Sequence, residues 1–532
     1  SAPEDRDKLA FMKFDNPVDV HIGMSVDPVD KTLPAGDSAG NNVYTRHIKD
    51  NFNINFIVDW TAANGGDYKQ KVSLAIAGAS LPDALVVPDE TFKTKAAQSD
   101  LLYDLTDVFQ KYASNQIMGI METTKGRAMD LASYNGKMVS MPNVIGDADA
   151  VHQLMIRKDW LDKYKLDIPK TVDDVEKIAK VFLQEKPAGD DTVVLSGPDK
   201  TSYPYADFLN SMNCLFGFDP VFQAYDAYPG YWVNENGTAT YGTLSPNTKS
   251  ALERLAKWYQ EGIIDPEMGT REKSAEPLNA NQLGMFFGTW WSVGYGNPDS
   301  YKNDPTVNWQ SYPIYSDTGK WNVHMKSVGS SFTLVNKNAS EDVAKAVVIA
   351  GNSMKRDEGT LATSGVGVGW MPLRNVRAPA DDVEHEVVEL TKVLNGETKP
   401  EDYNDPSSIY SMMYEDAQIV QKVIPGYQKG KELGIADFDQ TVDFGKFQRI
   451  YSMVIGDRPY ATVPVDKEVY SITYSMTPTM EQKWANLKKM EDETVLKIIT
   501  GKSDISAFDK FVTDWKAQGG DEILKEVQAL IK

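Results

Sequence analysis

Residues 281–295 read NQLGMFFGTWWSVGY, a short apolar run followed at once by aromatic residues. Leu283 to Phe287 is continuously apolar, which predicts a strand buried on both faces. Open α/β sheets bind ligands beyond the carboxyl ends of such strands. Trp290, Trp291 and Tyr295 come directly after the run and are therefore candidates for contact with a flat apolar ligand face. The alternative for the tryptophan pair is one core residue and one rim residue.

The N-terminal part of the chain predicts a β-α-β order. Residues 18–25 alternate apolar and polar side chains, as a half-buried strand does, and a helical pattern begins at Asn41. Residues 54–58 predict a second strand, which gives a parallel pair with a right-handed crossover. A helix over residues 67–77 and a strand over residues 84–87 repeat the order, so this region is predicted to be α/β.

Polar loops follow the second and third of these predicted strands. Trp60, Asp89 and Glu90 lie in those loops and are expected at the carboxyl edge of the sheet, where a ligand would bind. A solvated loop residue without a binding role is the alternative for each of them.

Several capping and turn signals mark elements farther along the chain. Thr171 with Asp174 forms a capping-box pattern at the start of a helix. Asn236-Gly237 lies between β-prone flanks and predicts a type I′ hairpin. Ser245-Pro246 predicts the start of another helix, and the last fifty residues are predicted to be helical.

Length and composition limit the class of protein. A chain of 532 residues is too long for one core and predicts at least two domains. The formal net charge of −21 argues against nucleic acid and anionic membranes as partners. Cys214 is the single cysteine, so no intrachain disulfide forms, and its apolar surroundings predict an inert, packed thiol. The chain begins SAPEDRDKLA, which predicts a mature protein whose targeting segment has been removed.

Motifs of catalysis and metal binding are missing from the sequence. The five histidines have no paired-ligand spacing, and there is no GxSxG elbow or Walker loop. The glycine run at residues 365–369 lacks GxGxxG spacing and predicts a crossing or hinge. No metal, no cofactor and no catalytic residue is therefore expected. Two of the many carboxylates could still form a glycosidase pair, because sequence does not reveal their separation.

Four stretches carry a family resemblance: YKQKVSLAIAGASLPDALVV, IRKDWLDKYKLDIPKTVDDVEKIAKVF, TKSALERLAKWYQEGIIDPEM and the C-terminal WANLKKMEDETVLKIITGKSDISAFDKFVTDWKAQGGDEILKEV. With them the chain resembles the extracytoplasmic solute-binding proteins of bacterial ABC transporters, specifically the large carbohydrate-type family 1 lipoproteins of Gram-positive bacteria. The resemblance implies an α/β, two-lobed periplasmic-binding-protein (Venus-flytrap) fold of the type II kind, with extra C-terminal helices. It also implies oligosaccharide binding between the lobes without catalysis.

The resemblance also suggests lobe boundaries. The N-terminal lobe is expected to comprise residues 1–145 and 327–372, and the C-terminal lobe residues 146–326 and 373–532. The chain would cross between them near 143–149, 325–329 and 365–372, and the lobes would close on ligand by a hinge motion. Some relatives carry a structural calcium loop, but the segment EKPAGDDTVVLSGPDK lacks its pattern, so no calcium is expected.

The resemblance assigns site residues as well. FGTWWS is similar to a strand-end motif of maltodextrin-binding relatives whose first tryptophan stacks on a sugar ring, which carries over to Trp290. In an extended backbone Trp291 would point the opposite way and pack in the core. PDETF matches a polar loop that bonds sugar hydroxyls, which points to Asp89 and Glu90. The predicted ligand-binding residues are Trp290, Trp291, Tyr295, Asp89, Glu90, Trp60, Trp232 and Trp370.

The predicted function is the substrate-binding component of an ABC importer. It would capture an oligosaccharide and deliver it to the transmembrane permease subunits, as a monomer held at the outer face of the cell membrane by a lipid anchor. The signal peptide and the lipidated cysteine of such proteins are not in this sequence. The alternatives are a secreted glycoside hydrolase or lyase, and an oligopeptide-binding receptor.

Overall fold

The computed structural model describes residues 3–212 and 215–532. The chain divides into a first unit of Ser1–Gly146, Val328–Ala380 and Asp405–Ser411, and a second unit of Asp147–Ser327, Asp381–Asn404 and Met412–Lys532. Residues 373–380 and 405–411, expected in the C-terminal lobe, therefore belong to the first unit. The chain returns to the first unit at residues 405–411, and the composition of this short segment does not predict that return. Cys214 lies outside the described residues, so its predicted packing stays a prediction.

The described residues form fifteen strands. They are β1 (Val18–Val26), β2 (Ile54–Ala63), β3 (Ala84–Val87), β4 (Ser133–Tyr134), β5 (Lys137–Met138), β6 (Met141–Pro142), β7 (Gln153–Arg157), β8 (Val193–Leu195), β9 (Trp232–Glu235), β10 (Thr238–Tyr241), β11 (Leu283–Gly288), β12 (Trp309–Tyr312), β13 (Asn322–His324), β14 (Phe332–Val335) and β15 (Lys467–Val469).

The same residues form twenty-one α-helices. They are α1 (Pro3–Ala10), α2 (Val43–Phe52), α3 (Gly66–Ala77), α4 (Glu90–Gln98), α5 (Thr106–Tyr112), α6 (Asn115–Thr123), α7 (Arg127–Ala132), α8 (Lys158–Lys163), α9 (Val172–Glu185), α10 (Asp219–Ala224), α11 (Pro246–Gln260), α12 (Glu276–Asn279), α13 (Pro298–Asn303), α14 (Glu341–Ala362), α15 (Asp382–Leu394), α16 (Met413–Val423), α17 (Phe444–Tyr451), α18 (Arg458–Thr462), α19 (Pro478–Ile499), α20 (Ala507–Trp515) and α21 (Asp521–Gln528).

The first unit is built on a five-stranded sheet with the order β2-β1-β3-β14-β6. β1 pairs in parallel with β2 and β3, which confirms the β-α-β order predicted for this region. β14 runs antiparallel to both β3 and β6, so the sheet is mixed. β2 continues to Ala63 instead of ending at residue 58, and Trp60 therefore lies within a strand, opposite Gly23 of β1. The predicted loop at Trp60 is wrong because pairing with the nine-residue β1 keeps this polar stretch extended.

The second unit is built on a four-stranded sheet with the order β12-β7-β11-β8. All six residues of β11 are buried, as the apolar run predicts. β11 is parallel to β8 and antiparallel to β7. The carboxyl ends of β8 and β11 and the amino end of β7 therefore meet at one edge of the sheet.

The local signals of the second unit are confirmed. Thr171 caps α9 in a capping box with Asp174. Asn236 and Gly237 both have positive φ, 53° and 92°, as a type I′ turn requires, and they join β9 to β10. Ser245 caps α11 with a proline at the helix start, and α19 to α21 make the C-terminal region helical.

Among the described residues, no helix has both the length and the apolar character that crossing a bilayer requires.

Candidate functional site

The Trp290 segment is a turn rather than an extended strand end. Trp290–Val293 forms a 3₁₀ turn immediately after β11. Strand alternation therefore does not apply to the tryptophan pair, and the expectation that Trp291 points into the core fails for that reason. Trp290 is 9% exposed, Trp291 is half-buried and Tyr295 is 44% exposed.

A second turn holds this 3₁₀ turn in place. The π-helical turn Ser452–Gly456 packs against it so closely that a Cβ at Gly456 would lie 2.0 Å from the Trp290 carbonyl oxygen. In the same way, a Cβ at Gly294 would lie 2.4 Å from the Gln448 carbonyl oxygen. Only glycine permits both approaches, so the backbone that carries Trp290 is fixed from two sides.

Asp149 fixes the indole ring itself. The Trp290 Nε1–H donates to the Asp149 Oδ1 atom over 2.7 Å. Asp149 lies just before β7, the antiparallel neighbour of β11, and strand pairing brings the two residues together. Burial raises the pKa of Asp149, while the Trp290 hydrogen bond and the charge of Lys326 oppose that rise. The ring is thus held in one orientation before any ligand arrives.

Further carboxyl groups of the second unit surround Asp149. Asp457 follows the π-helical turn, is fully buried, and has no hydrogen-bond partner for either carboxyl oxygen among the described residues. Burial raises the pKa of Asp457 well above its usual range, and the charges of Glu384 and Asp149 raise it further. Burial likewise raises the pKa of Glu384.

The first unit has its own pocket at the carboxyl ends of its parallel strands. A cavity of about 370 Å³ is bordered by Ser25 of β1, by Asn64 and Lys69 beyond β2, by Pro88 beyond β3, and by Arg374. This is the edge at which α/β sheets bind ligands. The Arg374 guanidinium is held by Glu358, with 2.8 Å between Nη2 and Oε1. The cavity offers hydroxyl, amide and cationic groups.

Asp89 and Glu90 begin a helix instead of lying in a loop. Asp89 is the N-cap of α4, and its carboxylate accepts from the Phe92 N–H over 3.1 Å. Glu90 lies 3.7 Å from the Lys93 ammonium, and burial raises the pKa of Glu90 against the effect of that cation. The cap occupies one Asp89 oxygen, so a structural role accounts for this residue without a ligand.

Two of the other predicted aromatics lie in the first unit. The Trp60 ring packs on the Tyr68 ring at 5.9 Å and covers Gly23, where a Cβ would overlap the indole. Trp370 is half-buried in a 3₁₀ turn, and its carbonyl accepts from the Asn42 side chain. Neither residue borders the first-unit cavity.

Trp232 is part of the core and offers no surface to a ligand. It is fully buried among aromatic side chains of β10, α19 and α20, with ring distances of 4.5 Å to Tyr241, 5.8 Å to Trp484 and 6.1 Å to Trp515. The prediction that Trp232 binds ligand is therefore wrong. Local sequence did not reveal its burial, because the helices that bury it come more than two hundred residues later in the chain.

Asp149 and the residues around the first-unit cavity are not among the site residues predicted from the sequence. Asp149 has no motif of its own, and only the pairing of β7 with β11 identifies it as the partner of Trp290. Ser25 and Asn64 stand at strand ends, and that position is the signal that could have identified them.

Two relatives from Bacillus subtilis (strain 168) align with most of the chain. The polygalacturonan/rhamnogalacturonan-binding protein YtcQ is 20% identical over 87% of this chain and 83% of its own length. Lipoprotein LipO is 22% identical over 87% of this chain and 84% of its own length.

A solved structure with the same fold is an HMO-binding, ABC-transporter-associated solute-binding protein from Bifidobacterium longum infantis ATCC 15697. It superposes with a TM-score of 0.59 at 15% identity, covering 97% of this chain and 98% of that one. The predicted α/β solute-binding-protein fold is thereby confirmed.

The family model described as "Bacterial extracellular solute-binding protein" matches residues 48–387, which is more than half of the chain. The match includes β3, β7, β8, β11 and the Trp290 turn. The chain belongs to the bacterial extracellular solute-binding protein family.

Proposed function

We propose that this protein binds an oligosaccharide for an ABC importer, with Trp290 as the main aromatic platform. The Trp290–Asp149 hydrogen bond at the carboxyl end of β11 carries the proposal, because it holds the indole in one orientation. An indole face provides the apolar contact that a sugar site requires, and accessible polar side chains provide directional hydrogen bonds. YtcQ is named for binding polysaccharide, and the Bifidobacterium protein is described as HMO-binding and ABC-transporter-associated, which supports a carbohydrate ligand.

The first-unit cavity is proposed to bind polar groups of the same ligand. Ser25, Asn64 and Arg374 on its border supply hydrogen-bond donors and acceptors. Closure of the units on ligand, by a hinge motion, is part of this proposal.

We propose that the protein releases its ligand chemically unchanged. The family is defined by solute binding, and the sequence contains no motif that favours a hydrolase or lyase. Mass spectrometry of an oligosaccharide after prolonged incubation with the protein distinguishes these classes. An unaltered mass is expected, and cleavage products would identify an enzyme.

The proposed location is the outer face of the cell membrane, through a lipid anchor, with a permease as partner. Membership of an extracellular family and the similarity to lipoprotein LipO support this location. The protein is proposed to act as a monomer. Membrane fractionation of the producing cells, with and without globomycin to block lipoprotein maturation, tests the anchor.

A thermal-shift screen against a panel of oligosaccharides tests the proposed ligand class. A ligand present at 100 times its Kd stabilises the folded protein by about 2.7 kcal/mol. Peptides of similar length serve as the control class. Stabilisation by peptides and not by sugars would identify an oligopeptide receptor instead.

A further inference from the structure

Three buried side chains of the second unit converge on one point. His152, Asp219 and His324 each present one ligand atom, and the three atoms lie within 4.8 Å of one another. The side chains are 0%, 1% and 3% exposed, respectively. The sequence gives no hint of the cluster, because its members are separated by 67 and 105 positions in the chain (219 minus 152, and 324 minus 219).

Three different elements bring these side chains together. His152 lies directly before β7, Asp219 is the first residue of α10, and His324 is the last residue of β13. An ion bound by all three side chains would therefore link the central sheet of the unit to helix α10 and to the small β13–β15 sheet.

Contacts with residues outside the cluster orient each of the three side chains. The His152 Nδ1–H is directed at the Ala150 carbonyl oxygen over 3.0 Å, which leaves Nε2 as the nitrogen that faces the cluster. Asp219 Oδ1 accepts from the Ala206 N–H over 2.9 Å. The His324 ring stacks on the Tyr231 ring at 4.9 Å. Metal-binding histidines characteristically donate their second ring nitrogen to a backbone carbonyl or a carboxylate.

The inward-facing nitrogens have no hydrogen-bond partner among the described residues. Nε2 of His152 and Nε2 of His324 are both buried and unsatisfied. Their distances to the Asp219 carboxylate, 3.9 and 3.6 Å, are too long for hydrogen bonds. An unsatisfied buried polar atom is destabilising, so two such nitrogens that face one carboxylate need an explanation.

We propose that His152, Asp219 and His324 bind a divalent transition-metal ion, with Zn²⁺ as the favoured ion. Two imidazoles and a carboxylate are a ligand set that zinc accepts. Bonds of about 2.0–2.2 Å in a tetrahedron place ligand atoms roughly 3.3 Å apart, so metal binding would draw together ligand atoms that now lie within 4.8 Å of one another. Calcium is disfavoured because it takes six to eight oxygen ligands.

The proposed ion is structural. The cluster is buried, and none of its three residues is among those proposed to bind sugar. This inference is independent of the proposed oligosaccharide. Metal binding should raise the thermal stability of the second unit and leave the affinity for sugar unchanged.

Metal analysis of the full chain is the test. The protein is stripped with EDTA, incubated with Zn²⁺, desalted and examined by inductively coupled plasma mass spectrometry and by thermal denaturation. One Zn²⁺ per chain and a higher Tm than that of the stripped protein are expected. His152→Gln and His324→Gln should lose the ion, whereas the control His21→Gln, on the exposed face of β1, should retain it.

Cobalt substitution tests the proposal on the wild-type protein and therefore does not depend on whether the histidine variants fold. Co²⁺ added to the stripped wild-type protein should give the visible absorption bands of a bound ion with nitrogen ligands. No Zn²⁺ retention together with no Co²⁺ bands would overturn the proposal. Retention of the ion by folded His152→Gln and His324→Gln would overturn it equally.

Discussion

The Trp290 indole N–H and the Asp149 carboxylate form a 2.7 Å hydrogen bond that links the end of β11 to the start of β7. The bond joins two residues 141 positions apart, and antiparallel pairing of their strands brings them into contact. The glycines at 294 and 456 let the neighbouring turn press against the same segment. Trp290 is therefore a pre-oriented ring, and orientation before binding lowers the entropy lost on binding.

Removing the Asp149 acceptor should release the Trp290 ring. Asp149→Ala is expected to weaken oligosaccharide binding by about 1–2 kcal/mol, the value of a hydrogen bond to a charged or buried group. Asp149→Asn is the matched control, because its amide oxygen still accepts the indole N–H and most affinity should remain. Titration calorimetry measures both, and equal losses in the two variants would show that the carboxylate contacts the ligand directly.

Trp232 should matter for stability and not for binding. Trp232→Ala empties a fully buried site between Tyr241, Trp484 and Trp515, so a loss of about 3–5 kcal/mol in unfolding free energy is expected. Sugar affinity of the folded fraction should be unchanged. Urea denaturation and titration calorimetry give the two values. Trp291→Ala, at a half-buried position, should cost clearly less stability, and a Kd change in Trp232→Ala would contradict the core assignment.

Glu491 should make stability depend on pH. Burial raises the pKa of Glu491 to about 7, although the Tyr241 and Tyr205 hydroxyls donate to its oxygens over 2.7 and 2.8 Å. The folded state thus holds this proton more tightly than the unfolded chain, whose glutamate pKa is about 4.3. The stabilisation is complete below that value and is lost as the pH rises through about 7.

Glu491→Gln removes this titration. The Tm difference between Glu491→Gln and the wild type should shift in favour of the variant as the pH rises from about 5 to about 8. Glu253→Gln, at an exposed position on α11, is the control and should show no such trend. A pH-independent difference for Glu491→Gln would show that Glu491 titrates in the ordinary range.

The first-unit cavity should contribute hydrogen bonds to the same ligand. Asn64→Ala is expected to weaken binding by about 1 kcal/mol without a change in Tm, because the residue is exposed and borders the cavity. Asn51→Ala is the control, since it is an exposed asparagine of the same unit that does not border the cavity. If Asn64→Ala and Asn51→Ala bind the oligosaccharide equally well, the cavity is not part of the binding site.

Local signals predicted the elements that neighbouring residues determine. The apolar run of β11, the Asn236-Gly237 turn and the Thr171 cap are each fixed by a few adjacent residues. The family resemblance, carried by longer stretches, predicted the solute-binding-protein fold.

Features that depend on distant partners were not predictable in this way. β2 extends through Trp60 because it pairs with β1 as far as Ala63, apart from a bulge at Asp59. Trp232 is buried by helices α19 and α20, and no local pattern distinguishes it from an exposed aromatic. The His152–Asp219–His324 cluster and the Trp290–Asp149 bond likewise arise from tertiary packing.

The most direct test of oligosaccharide binding through Trp290 is titration calorimetry of the wild type and Trp290→Ala with the sugar that stabilises the protein best. Binding by the wild type and a loss of about 2 kcal/mol or more in Trp290→Ala, roughly thirtyfold in Kd, are expected for a central aromatic anchor. Trp291→Ala is the matched control and should lose clearly less affinity. Failure of the wild type to bind any oligosaccharide, or equal affinity of Trp290→Ala and the wild type, would contradict the account.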